Sequence, residues 1–175
     1  MSQKFVVLDR DGTVIEHAHY LSDPESVRFK RDLIPALTSL SKKGFAFGLV
    51  TNQSIIGRGL ASHESVDAVN LLITDFLERH EINVSFFYVC PHAPEDHCKC
   101  RKPKIGLGLL AISNFDLSPS LSYMIGDQES DILFGQNLGC TTIQLKGNFK
   151  RSDCAVYYAH SLSDAAKWIL ERVEG

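Results

Sequence analysis

The sequence has no long apolar run, no low-complexity tract and no internal repeat. Without a run of about 20 apolar residues there is no candidate for a membrane-spanning helix, and a hydrophobic content of 44% argues against disorder. The first apolar run, "FVVL", is shorter than the core of a secretory signal peptide. We therefore expect a single domain over residues 1–175, located in the cytoplasm and without a membrane partner.

The chain also lacks an excess of charge of either sign. Its net charge is -3 and its isoelectric point is near 6.1, so it has no general attraction for the phosphate backbone of nucleic acids. A phosphate-binding site in such a chain has to be local. We expect a small phosphorylated molecule as the partner, no nucleic acid, and a monomeric chain.

Neither the number nor the spacing of the cysteines favours disulfide or redox chemistry. They are five, an odd number, and no CxxC pair occurs. In "CPHAPEDHCKC", however, Cys90, His92, Cys98 and Cys100 form the pattern CxHx5CxC. Three thiolates and one imidazole are a closed set of ligands typical of structural Zn²⁺ sites. His97 is a competing ligand, and we favour His92 because it lies so close to Cys90 in sequence.

Short β-branched and aromatic runs alternate with helical patterns along the chain. Leu33 and Leu37 begin one helical pattern, Ser62 is a plausible N-cap of another, and Trp168 faces the core from a closing amphipathic helix. This alternation predicts an α/β fold of three layers, a doubly wound and mostly parallel sheet with helices on both faces. The runs that we expect to form strands are residues 4–9, 45–50, 85–90, 122–127 and 141–145.

Polar side chains that can do chemistry follow these runs, at the edge where open α/β sheets bind ligands. "LDRDGT" places Asp9 and Asp11 on the same side of an extended backbone, where two carboxylates need a cation or a shared proton. "TNQS", "RK" and "GDQESD" follow the second, third and fourth runs, and the last contains Asp127 and Asp131. Together they predict a site for Mg²⁺ and phosphate, although Asp131 could simply cap a helix.

The segments "LDRDGT", "VTNQS", "RKPK" and "IGDQESD" resemble, in this order and spacing, the motifs of the haloacid dehalogenase (HAD) superfamily of phosphohydrolases. The resemblance covers nearly the whole chain and implies a HAD-like, Rossmann-type fold. It implies that Asp9 is the nucleophile, which forms an aspartyl-phosphate, and that Asp11 is the general acid and base. It also implies that Thr51 and Lys102 hold the phosphoryl oxygens. Mg²⁺ would be bound by the Asp9 carboxylate, the Asp11 backbone carbonyl and Asp127.

The segment "CPHAPEDHCKCRKPK" resembles the zinc loop of one HAD branch, which holds D,D-heptose 1,7-bisphosphate phosphatases and histidinol-phosphate phosphatases. Both lack a large cap domain, so loops would shape the substrate pocket. Arg101 can grip a second phosphate with two parallel hydrogen bonds, whereas Arg58 could equally be a surface charge. Gln128 stands where both kinds of enzyme usually carry Lys or Arg. The residues expected to bind substrate are His19, Tyr20, Asn52, Gln53, Ser54, Arg58 and Arg101.

These observations leave three hypotheses for the function. The first is a Mg²⁺-dependent phosphoric monoester hydrolase of carbohydrate metabolism, which removes the 7-phosphate of D-glycero-D-manno-heptose 1,7-bisphosphate. "DGTVIEHAHYL" and "TNQSIIGRGL" look more like the heptose enzymes and favour it. The second keeps the chemistry and takes histidinol phosphate as substrate. The third is a catalytically silent, metal-stabilised binding module, although such a module would not need both Asp9 and Asp11; a phosphotransferase could use the same residues.

Overall fold

A parallel β-sheet lies at the centre of the structure, a computed structural model that describes residues 2–18 and 20–173. Within those residues the sheet has six strands, and each neighbouring pair runs parallel. The strands are β1 (Phe5–Leu8), β2 (Ala46–Asn52), β3 (Val84–Cys90), β4 (Tyr123–Gly126), β5 (Thr141–Leu145) and β6 (Tyr157–Ala159). Their order across the sheet is β3-β2-β1-β4-β5-β6, so the winding direction reverses between β1 and β4. This reversal opens a crevice at the carboxyl ends of β1 and β4.

Six α-helices connect the strands in the described part of the chain. They are α1 (Leu33–Ser41), α2 (Ser54–Gly57), α3 (His63–Arg79), α4 (Gly106–Phe115), α5 (Glu129–Leu138) and α6 (Leu162–Val173). The predicted N-cap of α3 is confirmed, since the Ser62 hydroxyl accepts a hydrogen bond of 3.1 Å from the backbone N–H of Ser65. None of the described helices combines the length and apolar character needed to cross a membrane.

The central strand β1 is buried on both faces, which explains why it is an uninterrupted apolar run. Val6 and Leu8 of β1 pack on one side with α1, α3 and α6, while Phe5 and Val7 pack on the other side with α4 and α5. Side chains alternate between the faces of a strand, so a central parallel strand has to be apolar at every position. The predicted three-layer, doubly wound sheet is therefore confirmed.

All five expected strands form, with ends that differ from the expected ones by a few residues. The sixth, β6, was not expected, because three residues are too few for a recognisable pattern. Trp168 packs in the core as predicted, stacked on Tyr157 of β6 with ring centroids 4.8 Å apart. Ile169 is fully buried beside it, whereas Leu170 is only partly buried.

Candidate active site

A polar cavity of about 370 Å³ lies at the crevice between β1 and β4. Asp9 follows β1, Thr51 lies near the end of β2, and Asp127 follows β4. They meet because the carboxyl ends of parallel strands lie at one edge of the sheet. The residues that line the cavity are Asp9, Asp11, Thr51, Asn52, Ser54, Arg101, Lys102, Gln128, Ser130 and Asp131.

Lys102 is buried at the centre of this site. Its Nζ lies 2.7 Å from Asp9 Oδ1 and 2.6 Å from Asp131 Oδ1, and it donates a hydrogen bond of 2.6 Å to the Val50 carbonyl. Burial alone would lower the pKa of Lys102, but the carboxylates of Asp131 and Asp9 outweigh it and raise that pKa. The ammonium therefore stays charged and forms ion pairs with both Asp9 and Asp131.

Asp131 has two contacts where the sequence suggested at most one. Its Oδ2 accepts a hydrogen bond of 3.1 Å from the backbone N–H of Gln128, which caps the start of α5, while its Oδ1 pairs with Lys102. The sequence does not decide between a site role and a capping role for Asp131, because an acid in the first turn of a helix is common for capping alone. The signal that could have assigned it is its spacing from Asp127, which puts both acids at one helix terminus.

The carboxylates of Asp9, Asp127 and Asp131 offer oxygen atoms that lie within 4.8 Å of one another. Burial, followed by the nearby charge of Asp131, raises the pKa of Asp9 to about 8 and that of Asp127 to about 7. Buried carboxylates at this spacing repel each other unless a cation or protons offset their charge.

Asp127 leaves one oxygen without a partner. Its Oδ1 is buried, and no described residue donates a hydrogen bond to it. Gly12, with a left-handed φ of 81°, passes so close that a Cβ atom there would overlap the Asp127 carboxylate. An orphaned oxygen beside Asp9 fits the ligand set that Mg²⁺ prefers, in which carboxylates and waters complete an octahedron.

Asp11 is held apart from the other three acids. Arg10, which is fully buried, donates from Nε to Asp11 Oδ2 at 2.9 Å and from Nη2 to Oδ1 at 3.2 Å. Gln53 adds a hydrogen bond of 2.7 Å to Oδ2 and donates another of 2.9 Å to the Thr51 hydroxyl. Both oxygens of the Asp11 carboxylate therefore accept hydrogen bonds from neighbouring side chains.

Arg10 was not assigned a role from the sequence. An arginine between two aspartates reads as a solvated charge, yet its Nη1 reaches across the fold to donate a hydrogen bond of 3.0 Å to Asn70 Oδ1 of α3. The Arg10 guanidinium thus orients the Asp11 carboxylate, and Asn70 in turn fixes the position of the guanidinium.

Asn52 lines both cavities, but its side-chain amide is hydrogen-bonded to the backbone of Lys102. Its Nδ2 donates to the Lys102 carbonyl at 3.1 Å, and its Oδ1 accepts from the Lys102 N–H at 3.0 Å. Because both the Nδ2 and the Oδ1 of Asn52 are hydrogen-bonded, its side chain fixes the position of the loop that carries Lys102.

The other residues expected to bind substrate lie in different places. A second cavity of about 140 Å³ next to Asp11 shares Asp11, Asn52, Ser54 and Gln128 with the first, and Tyr20 and Gln53 also line it. Arg101 lines the first cavity, and its Nη1 lies 3.5 Å from the His92 carbonyl. Arg58 lines neither cavity and instead faces Glu95 at 3.8 Å. His19 lies outside the described residues.

The cysteine loop brings its four predicted ligands together. The three sulfurs of Cys90, Cys98 and Cys100 lie 3.3–3.6 Å apart, and His92 Nδ1 lies 3.2 Å from Cys100 Sγ. Zn–S bonds of about 2.3 Å in a tetrahedron place neighbouring sulfurs about 3.8 Å apart, so these spacings fit one ion. All five cysteines are free thiols, and His97 is not part of the four-residue set.

The thiol of Cys98 has the electrostatics of a metal ligand. Burial works against its ionisation, but hydrogen bonds from the backbone N–H groups of Arg101 and Cys100 outweigh burial and lower its pKa to about 7. Burial raises the pKa of Cys90 to about 12. A thiolate ready to form beside two further sulfurs favours Zn²⁺, which binds cysteine as the thiolate.

A family model and several curated relatives match parts of the chain. The HAD-hydrolase-like family model matches residues 99–168. The histidine biosynthesis bifunctional protein HisB of Campylobacter jejuni subsp. jejuni serotype O:2 is 36% identical over 142 residues, which cover 79% of this chain and 40% of that protein. The HisB protein of Legionella pneumophila strain Lens is 34% identical over 139 residues, 78% of this chain and 40% of that protein. The chain thus spans about 40% of the length of these curated relatives.

Solved structures show the same fold. D,D-heptose 1,7-bisphosphate phosphatase from B. bronchiseptica, complexed with magnesium and phosphate, superposes with a TM-score of 0.87 at 24% identity, over 97% of this chain and 99% of that one. A putative HAD-like phosphatase from Mesorhizobium loti superposes with a TM-score of 0.84 at 24% identity, over 99% of this chain and 87% of that one. The matched family model covers residues 99–168, and the solved structures show that nearly the whole chain has the α/β fold of HAD-like phosphatases.

Proposed function

We propose that the chain is a Mg²⁺-dependent phosphatase that hydrolyses a small phosphorylated substrate through an aspartyl-phosphate on Asp9. The observation that carries this proposal is the buried cluster in which Lys102 contacts Asp9 at 2.7 Å, beside the unpartnered Oδ1 of Asp127. A silent binding module would gain nothing from burying so many mutually repelling acids, because each costs stability.

The reaction has two displacements on phosphorus. A carboxylate oxygen of Asp9 attacks the phosphorus atom, the bond to the leaving oxygen breaks, and Asp11 gives that oxygen a proton. A water then attacks the same phosphorus, Asp11 takes a proton from it, and the bond to Asp9 breaks to release phosphate. Arg10 and Gln53 hold the Asp11 carboxyl in a fixed direction during both steps.

Charge on the transferring phosphoryl group is stabilised by fixed donors. The Lys102 ammonium is held beside Asp9 by its contacts with Asp131 and the Val50 carbonyl. Thr51 offers a hydroxyl at the same edge of the cavity. Mg²⁺ bound by Asp9, Asp127 and the Asp11 carbonyl would neutralise the remaining negative charge.

For the substrate, our first candidate is the 7-phosphate of D-glycero-D-manno-heptose 1,7-bisphosphate. Hydroxyl and amide side chains around the second cavity, from Tyr20, Gln53, Ser54 and Gln128, match the hydroxyl groups of a sugar. Arg101 in the wall of the first cavity offers a guanidinium to a second phosphate. The likeness over 97% of the chain to a heptose bisphosphate phosphatase supports this choice.

The second candidate is histidinol phosphate. It is favoured by the 36% identity to proteins of histidine biosynthesis, which exceeds the 24% identity to the heptose enzyme. The chemistry at Asp9 is the same for both substrates. The difference lies in the part of the substrate that the loops bind.

Asp9→Asn should lower kcat for phosphate release by at least about 10³-fold, because the amide cannot serve as the attacking nucleophile. The fold should persist, since the side chain keeps its size. Asp67→Asn, on the exposed side of α3, is the matched control and should keep full activity. Turnover of Asp9→Asn near the wild-type rate would contradict the proposed role of Asp9.

Asp127→Asn should raise the melting temperature of the metal-free protein. In the folded chain the carboxyl keeps its proton up to about pH 7, whereas the unfolded chain loses it near its ordinary value of 3.8. The wild type therefore loses stability as the pH rises from about 4 to 7, and the variant avoids that part of the loss.

The same variant tests the metal site. Mg²⁺ should raise the melting temperature of the wild type, because it binds the folded state, and should leave Asp127→Asn nearly unchanged. Thermal unfolding from pH 5 to 8, with and without Mg²⁺, measures both effects. Equal stabilisation of both proteins by Mg²⁺, or a less stable variant without metal, would argue against this site.

Cys98→Ser should lose the bound Zn²⁺ and unfold at a lower temperature, because the loop has little apolar content to order it. Its KM should rise, since the loop leads directly into Arg101 and Lys102. Metal content by mass spectrometry and thermal unfolding are the measurements. Cys154→Ser, outside the cluster, is the control. A Cys98→Ser protein with wild-type stability and KM would refute the structural role of the loop.

Arg101→Ala should lower kcat/KM for heptose 1,7-bisphosphate by about 10- to 100-fold, the usual effect of losing charged hydrogen bonds, and much less for a small monophosphate. Arg58→Ala is the control, since Arg58 lines neither cavity. Equal losses on both substrates would show that Arg101 does not recognise the second phosphate.

The wild type assayed side by side on heptose 1,7-bisphosphate and on histidinol phosphate ranks the two candidate substrates. Faster turnover of histidinol phosphate would reverse our order.

A further inference from the structure

Gln144 is a fully buried amide on β5, a strand that is buried at four of its five positions. It lies opposite Gly126 of β4 in the sheet, next to the point where Asp127 begins the site. A buried amide on a central strand is costly unless its donors and acceptor are all paired. The partners of Gln144 therefore indicate what it does.

The side chain of Gln144 joins two parts of the molecule. Its Nε2 donates a hydrogen bond of 3.0 Å to the Asp127 carbonyl and another of 3.0 Å to the Lys150 carbonyl. Its Oε1 accepts a hydrogen bond of 2.7 Å from the backbone N–H of Ser152. One side chain thus binds the backbone of Asp127 to the segment 146–152, which follows β5.

This segment lies beside the candidate active site. A Cβ atom added at Gly147 would lie 3.9 Å from Asp127 Oδ2, so the segment passes directly over that carboxylate. The ring of Phe149 meets the ring of His17 edge to face, with centroids 5.7 Å apart. His17 is one of the residues that line the second cavity. The segment therefore reaches from the Asp127 carboxylate to the wall of the substrate pocket.

We infer that Gln144 is a positioning residue, which fixes the backbone of Asp127 and thereby the direction of its unpartnered Oδ1 toward Asp9. The inference rests on the proposed role of Asp127 as a Mg²⁺ ligand. Residues that hydrogen-bond to a metal ligand orient that ligand, and their loss lowers metal affinity although they do not contact the metal. Gln144 holds Asp127 through the carbonyl of the same residue whose carboxylate would bind the ion.

Thr142 offers a matched control for a purely structural role. It lies two residues before Gln144 on β5, so its side chain projects from the same face, and it is equally buried. Its hydroxyl donates a hydrogen bond of 2.8 Å to the Cys154 carbonyl and accepts one of 3.3 Å from the Val156 N–H. Thr142 thus anchors the chain just beyond the segment, through residues that do not include Asp127.

The test compares Gln144→Met, an apolar residue of nearly the same shape, with Thr142→Val. Titration calorimetry with Mg²⁺ alone should show affinity about 10-fold weaker for Gln144→Met and within about 2-fold of wild type for Thr142→Val. Both should unfold at a lower temperature, because each removes hydrogen bonds between a buried side chain and the backbone. In assays of phosphate release, saturating Mg²⁺ should restore most of the kcat of Gln144→Met.

Each other outcome decides the question. Wild-type Mg²⁺ affinity in Gln144→Met, or equal losses in both variants, would overturn the inference while leaving the proposed function in place. A wild-type chain that binds no Mg²⁺ and releases no phosphate would overturn the proposed function and the inference with it. If Gln144→Met does not fold, Gln144→Asn replaces it: this variant keeps an amide that is one methylene too short to reach Asp127, and the same loss of affinity is expected.

Discussion

The buried ammonium of Lys102 is the contact on which the rest of the site depends. It lies 2.7 Å from Asp9 and 2.6 Å from Asp131, which come from the end of β1 and the first turn of α5. Taking charges out of water costs several kcal/mol each unless they are paired and hydrogen-bonded. Without this ammonium, the acids that the sheet topology brings together would drive the strand ends apart.

One ammonium does not offset the charge of three buried acids. Burial first, and the charge of Asp131 second, raise the pKa of Asp9 to about 8 and that of Asp127 to about 7, so part of the repulsion remains. A divalent cation at this site would have to displace the protons on these carboxyls, and once bound it would offset the same repulsion. The same repulsion limits the stability of the fold, as is common where binding groups are assembled before their ligand arrives.

The sequence alone predicted most of what lies close together along the chain. Buried strands read as apolar runs, and the acids that follow them were found because strand ends share one edge of a parallel sheet. It did not predict contacts that join distant segments. Arg10 reaches Asn70, sixty positions away, and Gln144 reaches Asp127 from the next strand. No local pattern distinguishes such a side chain from a solvated one, since its partner is set by packing.

The cysteine loop and the acidic cluster are mechanically one unit. Cys100 is separated from Lys102 by a single residue, and Asn52 grips the backbone of Lys102 through both halves of its amide. The position of the ammonium is thus set from two sides, by the folded loop and by the end of β2. Because Asp9 and Asp131 both contact that ammonium, order in the loop is transmitted to Asp9. A loop that has no part in the proposed chemistry therefore sets the position of the charge on which that chemistry would depend.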